Sequence, residues 1–262
     1  MTRQFVSFAC EGATLWGTLD TASGTTGLLI VNGGNEIRSG PWASQSLLAS
    51  RIAGAGFPVF RFDRRGVGDS DGPNGGFRTA TPDIAAAIAA FRAQVPSLKR
   101  VIAYGNCDGA SALILAGGAG CDGLVLSNPW TIEEGTADEA STALPQVVRA
   151  HYLRRLMDPR AVLRLLGGKV SLRQLFASLR DAARPAAAPN ALAQELGTKL
   201  SDFSGPVTIL LAGRDRTAQT FLANWDKSDP RLRTCANASH GFVEQDARIW
   251  LQNQLEDALR DR

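Results

Sequence analysis

The chain is poor in histidine and cysteine and has no long apolar run. Its 262 residues include two histidines, His151 and His240, and four cysteines, Cys10, Cys107, Cys121 and Cys235. The cysteines are scattered with no Cys-x-x-Cys pair, so neither a zinc site nor a disulfide framework is expected. The thiols read as free, and no metal or organic cofactor is called for. No stretch approaches about eighteen uninterrupted apolar residues, and the opening MTRQFVSFACEG lacks the apolar centre of a secretory leader. A membrane span and export are therefore not expected, and a soluble, cytoplasmic protein is. Basic runs are missing too. With a net charge of only +3 and no arm of consecutive lysines or arginines, nucleic acid is not an expected partner.

What is present fits one large domain carrying an insertion, since 44% hydrophobic residues over this length suffice for a full core. Two alternating stretches, QFVSFAC and TLWGTLD, flank Glu11-Gly12 and predict an antiparallel hairpin. The short apolar run GLLIVN follows, then a helical stretch ASQSLLASRIAGAG and the strand PVFRFD. A helix over about 82–94, the strand RVIAY, a helix over about 109–118 and the strand GLVLSN continue the alternation. That rhythm of βαβ units predicts an α/β fold with a mostly parallel twisted sheet and helices on both faces. Thr81 is expected to cap the helix that Pro82 and Asp83 open.

After Pro129 the rhythm stops. Residues 131–204 carry helical periodicity but no strand-like run, and are expected to form a helical cap inserted into a core made of 1–130 and 205–262. Within it, RPAAAPN reads as a loop or hinge. From 149 to 184 nine basic residues stand against two acidic ones. Such a lid would attract an anionic substrate, although solvated helix faces are the plainer explanation. The strand VTILLAG resumes the sheet, followed by a helix, the last strand RLRTCAN and the amphipathic helix FVEQDARIWLQNQLEDAL.

The chemistry is read from YGNCDGASA, where Gly105, Cys107 and Gly109 form Gly-x-Cys-x-Gly between a strand and a helix. This spacing fits a tight turn that lifts the central side chain at the carboxyl edge of a sheet, the flanking glycines lacking Cβ atoms that would collide. A lone cysteine is more often a buried apolar filler, so its neighbours decide. Asp215 lies just beyond one late strand and His240 just beyond the next, which is the order nucleophile, acid, base. Asp226 and Asp229 are weaker substitutes for the acid, and His151 reads as a solvated or packing residue. Asp108, beside Cys107, adds a negative charge unless its carboxylate caps the following helix or meets an arginine.

At this point the chain resembles the α/β-hydrolase superfamily. FDRRGVGDSDG matches that superfamily's Asp-x-Arg-Gly-x-Gly-x-Ser pattern through Asp63, Arg65, Gly66, Gly68 and Ser70, and reads as scaffold. VNGGNEIRSG is similar to its His-Gly-x segment, with Asn32 in place of the histidine and Gly34 at the oxyanion position. More narrowly, NGGNEIRSG, FDRRGVGDS, GNCDGA and GRDRTA resemble the exosortase-A-system-associated hydrolases, found with bacterial exopolysaccharide and protein-sorting loci. The resemblance implies an α/β-hydrolase fold and a Cys107–His240–Asp215 triad. It also implies an oxyanion hole from the N–H groups of Gly34 and Asp108. Asn35, and Arg154 and Arg155 from the basic stretch, are candidate substrate contacts. The expected activity is hydrolysis of an acyl thioester or activated ester on a small molecule, which a coenzyme A or carrier-protein group would make anionic. Acyl transfer by the same triad, and a non-catalytic binding module on a hydrolase scaffold, are the alternatives.

Overall fold

The structure is a computed structural model, and it describes residues 2–132 and 190–261. Eight strands form one sheet: β1 (Arg3–Cys10), β2 (Ala13–Asp20), β3 (Thr26–Val31), β4 (Val59–Phe62), β5 (Arg100–Asn106), β6 (Gly123–Ser127), β7 (Val207–Ala212) and β8 (Leu232–Cys235). Their spatial order is β1-β2-β4-β3-β5-β6-β7-β8. The first hairpin is antiparallel and joins β4 antiparallel, and every pair from β4 to β8 is parallel. The hairpin turns where expected. Glu11 and Gly12 both take positive φ, 46° and 83°, the mirror-image turn whose twist matches that of paired strands.

The central strands are mostly apolar because both faces of the sheet are covered. Leu29 and Val31 of β3, Val101 and Ala103 of β5, and Leu124 and Leu126 of β6 point into one core. Their alternates Leu28, Ile30, Ile102, Tyr104 and Val125 point into the other, as a period of two requires. Helices α2 (Thr81–Gln94), α3 (Asp108–Leu115), α4 (Ala191–Ser201) and α5 (Arg216–Ala223) cover the first face. Helices α1 (Ser44–Gly54) and α6 (Gln245–Arg260) cover the second. In α6, Leu251, Leu255 and Leu259 recur every fourth residue and are buried. Each such leucine contributes about 1.5–3 kcal/mol by leaving water.

The start of α2 departs from expectation. Its N-cap is Ala80, with no side-chain cap hydrogen bond, and Thr81 is already helical. Asp83 is drawn away from the helix end to accept from the Arg65 backbone N–H at 3.0 Å and from Arg65 Nε at 2.5 Å. A partly buried guanidinium pairing with a buried carboxylate outweighs a surface cap. Most of the stretch expected as a cap lies outside the described residues. Its described end, from Asn190, is the start of α4, which packs Leu192, Leu196 and Leu200 into the first core.

Candidate active site

β5 ends at Asn106 and α3 begins at Asp108, so Cys107 alone makes the turn between them. Its φ of 58° and ψ of −128° lie where a residue with a Cβ is strained by about 1–3 kcal/mol. The surroundings hold it there. The Cys107 N–H donates to Ser127 O at 2.9 Å, and the Cys107 carbonyl accepts from Ala110, Ser111 and Trp130 N–H at 3.1–3.3 Å. A Cβ on Gly105 would stand 2.7 Å from Ala110 N, and one on Gly109 would stand 2.5 Å from Val31 O. Both contacts are closer than atoms tolerate, which is why glycine brackets the turn.

Asp215 follows β7 and His240 follows β8. The Asp215 and His240 loops are tied together by Gly213 N–H to Cys235 O at 2.9 Å and Arg214 N–H to Ala238 O at 3.0 Å. His240 Nδ1 is 3.0 Å from Asp215 Oδ2, and the Cys107 side chain is near enough to the same ring to help raise its pKa. The structure thus pairs imidazole with carboxylate and sets the Cys107 turn beside them. The hydrogen bond to Asp215 and then the Cys107 side chain push the His240 pKa from 6.5 up to about 10, against the effect of burial. For Asp215, burial works upward, but the bond and charge of His240 and the N–H groups of Ala218 and Thr217 prevail and leave the carboxyl below its ordinary value. Asp215 also caps α5 by accepting from Ala218 N–H at 3.0 Å, so helix cap and histidine partner are one group. The substitutes are engaged elsewhere: Asp226 accepts from Ser228 at 2.7 Å, and Asp229 is paired with Arg231 at 2.7 Å.

Of the two oxyanion candidates, Gly34 lies beside the turn with a φ of 57°, and its N–H donates to Asp108 Oδ1. Asp108 does meet an arginine: its other oxygen is 3.7 Å from Arg64 Nη2, and it does not cap α3, which has no side-chain cap bond. Asn35 is exposed and accepts from Asn74 Nδ2 at 2.7 Å. Asn32 turns its amide to Ile37 O at 2.5 Å, fixing the loop that carries Gly34. Arg154, Arg155 and His151 lie outside the described residues. The 63–70 loop is held internally, with Ser70 Oγ donating to Asp63 O at 2.8 Å and accepting from Trp16 N–H at 2.9 Å.

Three site residues escape the sequence reading. Arg64, inside that scaffold loop, also donates to Gly34 O. Glu36 is half-buried and titrates above its ordinary value, because burial and Asp108 together outweigh the His240 charge. Asn128 is fully buried at the end of β6, with a φ of 45°. Its amide donates to Asn106 Oδ1 at 3.1 Å and to His240 O at 3.0 Å, and its oxygen accepts from Ala212 N–H at 2.9 Å. The only advance signal was an amide placed between a strand and a proline in LSNPW.

A cavity of about 260 Å³ lined by Ile102, Gly123, Arg233 and Asp257 opens near the other end of the strands. At roughly 3.3 Å per residue, Ile102 is about 16 Å down β5 from Cys107. Among the described residues no cluster of histidine, cysteine and carboxylates could hold a metal ion, and no helix is long and apolar enough to cross a membrane.

The alpha/beta hydrolase family model matches residues 28–250. The chain belongs to that family. An esterase of Pyrococcus furiosus is similar in structure, with a TM-score of 0.65 at 15% identity, over 99% of this chain and 90% of that one. An alpha/beta hydrolase of Penicillium gives 0.66 at 18% identity, over 99% and 98%. A serine hydrolase of Xanthomonas campestris, described as without lid, gives 0.58 at 15%, over 98% and 94%. At these identities the likeness is one of fold. No curated protein sequence matches the chain.

Proposed function

We propose that this α/β-hydrolase cleaves an acyl thioester or activated ester through a covalent acyl-Cys107 intermediate. The observation that carries the reading is the 3.0 Å pairing of His240 with Asp215 beside the strained turn that presents Cys107. With its pKa at about 10, His240 holds a proton at neutral pH, and Asp215 fixes the ring and offsets its charge.

The sulfur forms a bond to the acyl carbon, and the carbonyl π pair moves to oxygen. Backbone N–H groups of Gly34 and Asp108 would receive that oxyanion, each such donor being worth roughly 3–4 kcal/mol when judged by removal. The carbonyl re-forms as the bond to the leaving group breaks, and the departing atom takes the proton from His240. Water then attacks the acyl-sulfur carbon, His240 accepts its proton, and the Cys107 thiolate departs to leave a carboxylic acid.

The nucleophile explains the preference for activated substrates. A cysteine thiol has a pKa of about 8.5, whereas an unactivated alkoxide resembles hydroxide, whose conjugate acid lies at about 15.7. An adduct between sulfur and an alkyl ester therefore reverts by expelling sulfur. A thioester removes the mismatch, since both leaving groups are thiolates, and an enol or aryl ester reduces it. The narrower resemblance to exosortase-associated hydrolases fits a cytoplasmic acyl substrate carried on a small molecule, and we assign the part of the stretch 131–204 that precedes α4 to a cap over it.

Intact-mass spectrometry after incubation with matched acyl thioesters and short alkyl esters tests the reading. A thioester-dependent adduct, lost in Cys107→Ala and strongly slowed in His240→Ala, is expected. Faster turnover of alkyl esters than of matched thioesters would overturn it.

A further inference from the structure

The site already holds a carboxylate where the proposed reaction develops negative charge. Gly34 N–H, one of the two oxyanion donors, donates to Asp108 Oδ1. A Cβ placed on Gly33 would lie 2.9 Å from that same oxygen and 3.0 Å from the Cβ of Cys107. The oxygen thus occupies the crevice between the β3–α1 loop and the nucleophile turn. The contact is not part of a helix cap, because α3 makes no side-chain cap bond.

Arg64 stands behind it. This side chain is buried, 7% exposed, and it donates to the Gly34 carbonyl. Its Nη2 is 3.7 Å from Asp108 Oδ2, too long for a good hydrogen bond, and its Nη1 has no hydrogen-bond partner among the described residues. A guanidinium presents a fork that a carboxylate can fill with two parallel bonds. Here the fork is buried, close to a carboxylate, and incompletely used.

We propose that the Asp108 carboxylate is a built-in plug of the oxyanion hole, and that Arg64 receives it when an acyl oxygen enters. The inference rests on the acyl-Cys107 reading above. A donor cannot stabilise a developing oxyanion while its hydrogen is committed to a carboxylate, and two negative oxygens in one crevice repel. Rotation about the Asp108 Cα–Cβ bond clears the crevice without moving the Asp108 N–H, the second donor. The displaced oxygens then complete the Arg64 fork. No bond to Asp108 forms or breaks in the reaction. It is a positioning residue that sets when the hole is open, and the crevice is by the same reasoning a subsite for a small carboxylate.

The test compares two rates at Cys107, measured by intact mass: acylation by a short acyl thioester of N-acetylcysteamine, which needs the oxyanion hole, and alkylation by iodoacetamide, which does not. Their ratio cancels any change in thiol reactivity caused by removing a nearby charge. Asp108→Ala is expected to raise the ratio roughly tenfold or more, a part of what one donor supplies, and Asp108→Asn to raise it less. Formate should occupy the vacated crevice and reverse the gain in Asp108→Ala, while leaving the wild type unaffected. Arg64→Gln should lower the ratio, and adding Asp108→Ala should restore it. Wild-type acylation with the ratio unchanged or lowered in both Asp108 variants would overturn the plug alone. No Cys107 adduct in the wild type or in either variant would overturn the acyl-enzyme reading and the plug with it.

Discussion

His240 carries the pH behaviour of the site. A ring whose pKa rises from 6.5 to about 10 on folding stabilises the fold fully below 6.5. That contribution declines as pH climbs and is gone above about 10. In a proton NMR titration, the signal lost in His240→Ala should titrate far above 6.5, and Asp215→Asn should move it sharply down. Urea unfolding should show the wild type losing its advantage over His240→Ala as pH is raised from 6 to 10. Gly109 is the steric counterpart. A methyl there meets the Val31 carbonyl at 2.5 Å, so Gly109→Ala should cost about 1–3 kcal/mol in denaturant unfolding and should slow acylation by shifting the Cys107 turn.

At the scale of elements, the ends of β5, β6 and β7 are fastened by a single side chain. Asn128 spans Asn106, Ala212 and His240 with bonds of 2.9–3.1 Å, joining the strand that leads into Cys107 to the loop that carries His240. Truncation to alanine strands buried polar groups, each at about 1–3 kcal/mol. Asn128→Ala should therefore lower unfolding free energy by that order and lower the acylation rate further than the stability loss alone would, as read in single-turnover assays below the unfolding transition. Asn128→Asp, which keeps the acceptor for Ala212 N–H but loses both donors, should leave β7 in place and still slow acylation. The hairpin and the central strands were legible in the sequence because a period of two and runs buried on both faces depend only on neighbours along the chain. The helix start at Thr81 misled because Arg65, 18 residues from Asp83, recruits that carboxylate into a partly buried pair.

For the whole molecule the same division holds. The positions of Cys107, Asp215 and His240 at strand ends were legible because each follows a recognisable strand. Arg64 and Asn128 were not, since their roles exist only through contacts spanning 22 to 112 residues. The contact between Gly34 and Asp108 spans 74, and no local pattern encodes such a meeting.

β8 is the last strand of the sheet, four residues long, paired on one side and never fully buried, yet the imidazole hangs from the loop behind it. Short, solvent-facing edges open at a fraction of the global free energy, whereas β5 sits between two parallel neighbours. On gentle warming, thioester turnover should therefore fade several degrees before far-UV circular dichroism changes, with the sulfur still seated in its turn. A pair of cysteines clamping β8 to β7 should bring the two transitions together. Heat would silence this protein by unzipping its margin while its centre stays intact.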